Sequence, residues 1–325
     1  FTASFSIFLV FRFVQAFGGS VSCVSQSVNR DVFAQKERMD LSAKIGTAVS
    51  IAPAFGAMLG GMIAHYYTWR ESFLCLIVLA IAAISFFYYR LPETKTDHYL
   101  SFNFHDFLVV LRRVLRDSNL LINAMIIGLG LGVLYAFMSE GAFYCIENLS
   151  ISAQGYGIVC ALGSFLYAFG CRFSSYMIQN NTPFFRLMKW GTGLMACSFF
   201  LLLVCIYIDR GFQTMDSQST ILPLTIIFTL LWMLAQLGLS FILTPCFANA
   251  LENQRENAGV AASIFAFIYN IISAFVNVII SYWHSDGLYR MPMIFLGIVL
   301  IIFIACEMLG RSCVRHVEEG ISVPT

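Results

Sequence analysis

Charge is what this 325-residue chain has least of. Asp, Glu, Lys and Arg make up only 11% of it, less than half of the ~25% usual in soluble domains. The net charge of +1 leaves no electrostatic footprint for a nucleic-acid partner and marks no acidic or basic tail. The ten cysteines contain no C-x-x-C pair and are scattered through apolar stretches, which argues against a disulfide framework or a zinc site. The five histidines, His65, His98, His105, His284 and His316, show no ligand spacing. No Ser/His/Asp or Cys/His set shares a common depth, so an enzyme is not expected. The Gly128, Gly130, Gly132 run has no preceding strand and no basic partner, which excludes a phosphate loop.

What is abundant is apolar surface. Hydrophobic residues reach 59%, Phe alone numbers 32, and mean hydropathy is +0.78. A compact soluble protein cannot cover that surface with so few charges, so the chain reads as an all-α polytopic membrane protein. Nine stretches are long enough to cross ~30 Å of hydrocarbon as helices. They run about 4–28, 42–66, 70–90, 119–146, 154–178, 187–208, 220–246, 257–282 and 288–310. If the 29–41 segment faces the cytoplasm, fifteen Lys and Arg fall on inner segments and three, Arg70, Arg210 and Arg290, on outer ones. That asymmetry sets the orientation. The C-terminus is then cytoplasmic and Phe1 external, and the chain is expected to begin inside a longer protein. The organisation is 1–90 as part of one bundle, 91–118 as a cytoplasmic connection, 119–311 as a six-helix bundle and 312–325 as a cytoplasmic tail. Within the connection, Phe104, Phe107, Leu108, Leu111 and Leu115 share one face and Arg112, Arg113 and Arg116 the other. That pattern predicts an amphipathic helix at the inner interface. A solvated linker is the plainer reading.

Several motifs occur in a specific order. Phe8-Leu-Val-Phe-Arg12-Phe-Val-Gln15-Ala-Phe-Gly18-Gly19 resembles the fourth-span motif of drug:proton antiporters of the major facilitator superfamily. Asn29-Arg30-Asp31 closes that helix as in the Bcr/CflA (bicyclomycin resistance) branch. Ile51-Ala52-Pro53-Ala-Phe-Gly56-Ala57-Met-Leu-Gly60-Gly61 resembles the antiporter signature of the fifth span. Trp69-Arg70-Glu71-Ser-Phe73 and Leu91-Pro92-Glu93-Thr94 resemble the motifs flanking span six, and Ala258-Gly259-Val-Ala261-Ala262-Ser263 an eleventh-span pattern. The resemblance covers nearly the whole chain. It implies two helical bundles, with the nine stretches corresponding to spans 4–12 of a 6+6 fold. Two positions depart from the pattern: Ala57 stands where the fifth-span motif has Pro, and Ser139-Glu140-Gly141-Ala142-Phe143 stands in place of S-x-S-P-F.

Arg12 lies about eight residues, or ~12 Å, into its span. A charge at that depth costs at least ~2.5 kcal/mol unless it faces a cavity or partner. The resemblance implies a role in proton-linked conformational change, with Gln15 one turn on; snorkelling to the interface is the alternative. Glu140 lies in the outer half of an apolar span, where it suits proton exchange or pairing with a cationic substrate. A partly wet residue at the outer mouth is the alternative. Pro53, Gly56, Gly60 and Gly61 form a bend and a small-residue face for close helix approach. Gly259, with Ala262, Ser263 and Ala266, forms another. Asn270 and Asn277 follow seven residues apart and bond either a substrate or a neighbouring helix. Phe143, Tyr144, Phe165, Tyr167, Trp232 and Tyr269 are candidates for an aromatic cavity, although most Phe in such a chain face lipid or core. Tyr66, Tyr67, Trp69, Tyr282 and Trp283 sit at expected outer ends as belt anchors. Asn148-Leu-Ser150 is a formal glycosylation sequon on the outer side.

With no nucleotide-binding motif, an ion gradient is the expected energy source and no cofactor is expected. The resemblance makes the ion a proton, the direction export, the substrate a small amphipathic drug or metabolite, and the protein a monomer in the cell's inner membrane. A nutrient importer on the same fold and a truncated, non-transporting membrane protein remain alternatives.

Overall fold

The computed structural model describes residues 5–19, 35–90, 104–143, 145–146, 151–212, 221–250, 258–282 and 290–318. These form ten helices: α1 Phe5–Gly18, α2 Gln35–Tyr66, α3 Trp69–Arg90, α4 Phe104–Val114, α5 Ser118–Phe143, α6 Ala153–Gln179, α7 Phe184–Phe212, α8 Ile221–Asn249, α9 Ala258–Tyr282 and α10 Arg290–Glu318. No strand occurs among the described residues. Seven helices contain a stretch long and apolar enough to cross a membrane, namely α3 and α5 to α10. The first two expected spans correspond to the shorter apolar segments Phe5–Gly18 and Ile51–Tyr66, so the expectation of nine spans is approximate. The Asn29-Arg30-Asp31 and Leu91-Pro92-Glu93-Thr94 motifs lie outside the described residues.

Local sequence sets several helix starts. Asp117 opens α5, its Oδ1 accepting from the backbone N–H of Asn119 at 3.1 Å and of Leu120 at 3.3 Å. These are donors that the first turn of a helix otherwise leaves unpaired. Ser152 opens α6 in the same way by accepting from Gly155 N–H at 3.1 Å. Before α3, Thr68 donates its backbone N–H to Glu71 Oε2 at 3.0 Å, the return arm of a capping box. Helix α6 ends at Asn180 and Asn181, the latter in the left-handed region at φ 60°. Asn tolerates that region better than most residues.

The core lies among α5 to α10. Phe137, Phe228, Phe295, Leu120, Ile126, Ile127 and Met188 are fully buried there. Helices α1 and α3 bury no residue; beyond its first turn α3 is apolar on all sides, which lipid contact requires, whereas α1 carries Arg12 and Gln15 on one face. Phe8 of α1 packs edge-on against Trp69 and Phe73 of α3. Trp69, expected as a belt anchor, therefore also holds α1.

The most extensive helix contact joins α2 to α6, followed by α7–α8, α5–α9 and α6–α8. Helices α5 and α6 barely touch, yet both pack on α8. Where α5 begins and α8 ends, Asn119 and Asn249 exchange hydrogen bonds: Asn119 Nδ2 donates to the Asn249 carbonyl at 3.2 Å, and Asn249 Nδ2 to Asn119 Oδ1 at 3.1 Å. Lys189 of α7 pairs with Glu307 of α10 at 2.7 Å.

Helix α4 is amphipathic but sits one step round from the expected orientation. It packs against α9 and buries Val110 and Val114, with Leu111 half-buried, while Leu108 and Leu115 are exposed beside Arg112, Arg113 and Arg116. Protein contact thus takes the β-branched stripe. The side chains of Phe104 and Phe107 lie outside the described residues.

Candidate functional site

Glycines determine how closely the spans approach. A Cβ on Gly128 would lie 2.6 Å from Ile272 Cβ, and one on Gly132 would lie 2.7 Å from Val276 Cβ. These two glycines, four residues apart on one face of α5, admit two residues with the same spacing on α9. Gly130 points the other way, where a Cβ would lie 2.8 Å from Leu239 Cδ1 of α8. The three-glycine run thus lets α5 fit tightly between two helices.

This close approach carries Glu140, two turns beyond Gly132, to α9. Ser281 Oγ donates to Glu140 Oε1 at 2.6 Å, and Glu140 is half-buried. Asn277 belongs to the same junction: its Nδ2 donates to the Ser273 carbonyl at 2.8 Å and approaches the Gly132 carbonyl at 3.5 Å. Asn270 is exposed, its Nδ2 donating to the Ala266 carbonyl of its own helix at 2.8 Å. Gly259 lies in α9, but its surroundings are outside the description.

The fifth-span motif divides between two faces of α2. Ala54 is 1% exposed, and Gly61 is packed so that a Cβ would lie 2.8 Å from the Ala153 carbonyl oxygen and 3.1 Å from Gly157 Cα of α6. Gly157 answers it, since its own Cβ would lie 2.6 Å from the Ala57 carbonyl oxygen. Gly56 and Gly60 have nothing within 4 Å of a Cβ, and Pro53 is exposed. Of the four expected residues only Gly61 is at the helix junction. Phe55 and Phe165 meet edge-on across it at 6.0 Å.

Arg12 is exposed on α1. Its Nη1 donates to Gln15 Oε1 at 2.8 Å, and its guanidinium lies 6.0 Å from the Phe8 ring centroid. The expected sharing of one face by Arg12 and Gln15 is present. Neither residue is brought near Glu140 by a described contact.

The aromatic candidates separate into unrelated places. Trp232, 5% exposed, stacks on Phe137, which in turn stacks on Phe228. Tyr156 fixes that stack by donating its hydroxyl to the Phe137 carbonyl at 2.8 Å. A small apolar cavity adjoins the stack, lined also by Phe199, Leu202 and Phe295. Tyr269 belongs to a second cluster, with Phe247 at 5.9 Å and Phe265 at 5.4 Å. Phe143 is 49% exposed. Tyr167 is partly buried against the core. Tyr144, Trp283 and the Asn148-Leu-Ser150 sequon lie outside the described residues. The structure therefore does not gather these side chains into one box.

One buried polar residue escapes a reading by motifs. Gln236 of α8 is 2% exposed, and its Oε1 has no hydrogen-bond partner. Its signal in the sequence is slight, an uncharged amide within the apolar run Leu234-Ala235-Gln236-Leu237-Gly238.

The chain resembles known transporters over most of its length. It is 28% identical over 289 residues to an uncharacterized transporter of Rickettsia felis, covering 88% of this chain and 70% of that protein. It is 24% identical over 321 residues to the multidrug resistance protein MdtM of Salmonella typhimurium, covering 95% and 73%. It is 24% identical over 206 residues to a chloramphenicol resistance protein of Pseudomonas aeruginosa, covering 62% and 48%. The Major Facilitator Superfamily profile matches residues 1–277. With its apolar helices and this match, the chain is a multi-pass membrane transporter, not an enzyme, and belongs to the Major Facilitator Superfamily.

Proposed function

We propose that the chain exports small amphipathic compounds in exchange for protons, by alternating access. The observation that carries this reading is the carboxyl of Glu140, set in an apolar helix and hydrogen-bonded to a different helix through Ser281. A carboxylate accepts from that hydroxyl, whereas a protonated carboxyl also has a proton to donate. Proton uptake at Glu140 therefore alters a contact between α5 and α9. That links protonation to helix position, as exchange transport requires. The relatives named for multidrug and chloramphenicol resistance support a drug-like substrate. The motifs of α1 and α2 favour the Bcr/CflA branch, the placement of Lys and Arg favours a cytoplasmic C-terminus, and the family resemblance favours an inner membrane. We take the working unit to be a monomer.

The test is chloramphenicol uptake into inside-out vesicles with an acidified lumen. The protein should accumulate the drug only while the proton gradient lasts. Glu140→Gln should reach the membrane in normal amount, keep a side chain that bonds Ser281, and lose the response to the gradient. Gradient-independent transport by the unsubstituted protein, or full coupling in the variant, would overturn the reading.

A further inference from the structure

We propose that Gln236 is a substrate-recognition residue whose Oε1 accepts a hydrogen bond from a neutral donor, a hydroxyl or an amide N–H, on the transported molecule. This rests on the export reading above and names the class of substrate that it favours.

Three observations converge on this residue. First, it stands about midway along α8, at the depth where transporters of this architecture hold substrate. Second, its Oε1 is buried without a partner. An amide oxygen in an apolar interior normally finds a donor, and one left alone costs stability that a ligand can restore. The other unpartnered buried atoms, on Asn123, Ser174 and Ser273, differ in kind. Asn123 already bonds Asn119 through Nδ2, and the serines have only short hydroxyl arms. Third, Gln236 lies one helical turn from Trp232, whose ring lines the small apolar cavity of the bundle. Helices α5 and α6 scarcely meet, and both rest on α8. Gly163 of α6 abuts Trp232 and Gln236, its Cβ position lying 2.6 Å from Trp232 Nε1 and 3.3 Å from Gln236 Cγ. A molecule that enlarges this cavity along α8 meets aromatic walls and one polar acceptor. Few precisely placed polar groups in an apolar cleft are what gives a pocket its selectivity.

The experiment compares two substrates in reconstituted vesicles. Chloramphenicol carries hydroxyl and amide donors, whereas tetraphenylphosphonium carries none. Gln236→Met keeps the side-chain shape and removes the orphaned amide, so it leaves folding intact. It should raise KM for chloramphenicol by about tenfold, the worth of one hydrogen bond, and leave KM for tetraphenylphosphonium unchanged. An equal change for both substrates, or none for chloramphenicol, would overturn the assignment. If the unsubstituted protein transports neither, the export reading fails, and equilibrium binding then decides about Gln236. Quenching of tryptophan fluorescence by chloramphenicol should be about tenfold weaker in Gln236→Met. Equal affinity in the two proteins would refute the assignment.

Discussion

Gly61 and Gly56 lie five residues apart on the same helix, yet the structure assigns them opposite fates on substitution by Ala. At Gly61 the new methyl would begin 2.8 Å from the Ala153 carbonyl oxygen, against 3.4 Å for ordinary contact. Helices α2 and α6 must therefore part by about half an ångström or more. Both obstructing groups, the Ala153 carbonyl and Gly157 Cα, are backbone, so no rotamer change relieves the clash. Overpacking of this kind costs ~1–3 kcal/mol, and the higher helix propensity of Ala returns at most ~1 kcal/mol. A net loss of about 1–2 kcal/mol is expected for Gly61→Ala. At Gly56 nothing lies within 4 Å. Gly56→Ala should then be neutral or stabilising by up to ~1 kcal/mol. Reversible unfolding in mixed micelles, followed by circular dichroism, measures both. Equal stabilities for the two variants would show that the α2–α6 junction is looser than described.

The same logic applies within α5. Gly132→Ala should cost ~1–3 kcal/mol, because the rigid Cβ of Val276 blocks it. Gly130→Ala should cost less than ~1 kcal/mol, since only the mobile ends of Leu239 and Leu243 stand in the way. The same micellar unfolding assay ranks the two, and the reverse order would refute the packing account. Arg12→Ala should abolish gradient-driven efflux and leave membrane abundance near normal, because the contacts of Arg12 are with Gln15 and Phe8 of its own exposed helix. Immunoblotting of membranes beside the vesicle assay checks this, and full activity would remove Arg12 from the mechanism.

Helix existence was legible in the sequence because apolar runs of more than twenty residues have few other uses. Partner faces were not. In a span that is apolar all round, periodicity no longer says which side meets protein and which meets lipid. Hence the fifth-span motif read as one small-residue face, whereas Gly61 turns to α6 and Gly56 and Gly60 turn away from it. Trp232 read as a cavity aromatic, and its stacking on Phe137 depends on an α5–α8 contact that no local pattern encodes. In α4 the alternation of leucines and arginines was visible, but the buried stripe proved to be Val110 and Val114, chosen by the neighbouring α9. Glu140 was noticeable as a carboxyl in an apolar span, while its partner Ser281 lies 141 residues away. Gln236 carried no motif, and only its burial without a partner distinguishes it.

The glycines do two mechanically different jobs, and the difference bears on alternating access. At the α2–α6 junction, backbone faces backbone, with Gly61 against Gly157 and Ala153. Such a contact has no side-chain knob lodged in a hole. It can slide or tilt with little loss of packing, and only the Phe55–Phe165 ring contact must be renewed. Between α6 and α8 the glycines instead receive side chains. Trp232 fills the space at Gly163, and Ser240 fills that at Gly170. Moving α6 relative to α8 would withdraw an indole from its slot, and the Tyr156 hydroxyl would have to release the Phe137 carbonyl. Ile272 and Val276 of α9 likewise fill the space at Gly128 and Gly132 of α5. Interdigitated cores resist gradual deformation, so α5 to α9 should move as a body while the α2–α6 junction yields. On that division, the Glu140–Ser281 bond lies inside the moving body and not at its hinge. Under the proposed proton exchange, protonation of Glu140 would act by changing the shape of the body, and the yielding junction would convert that change into reorientation.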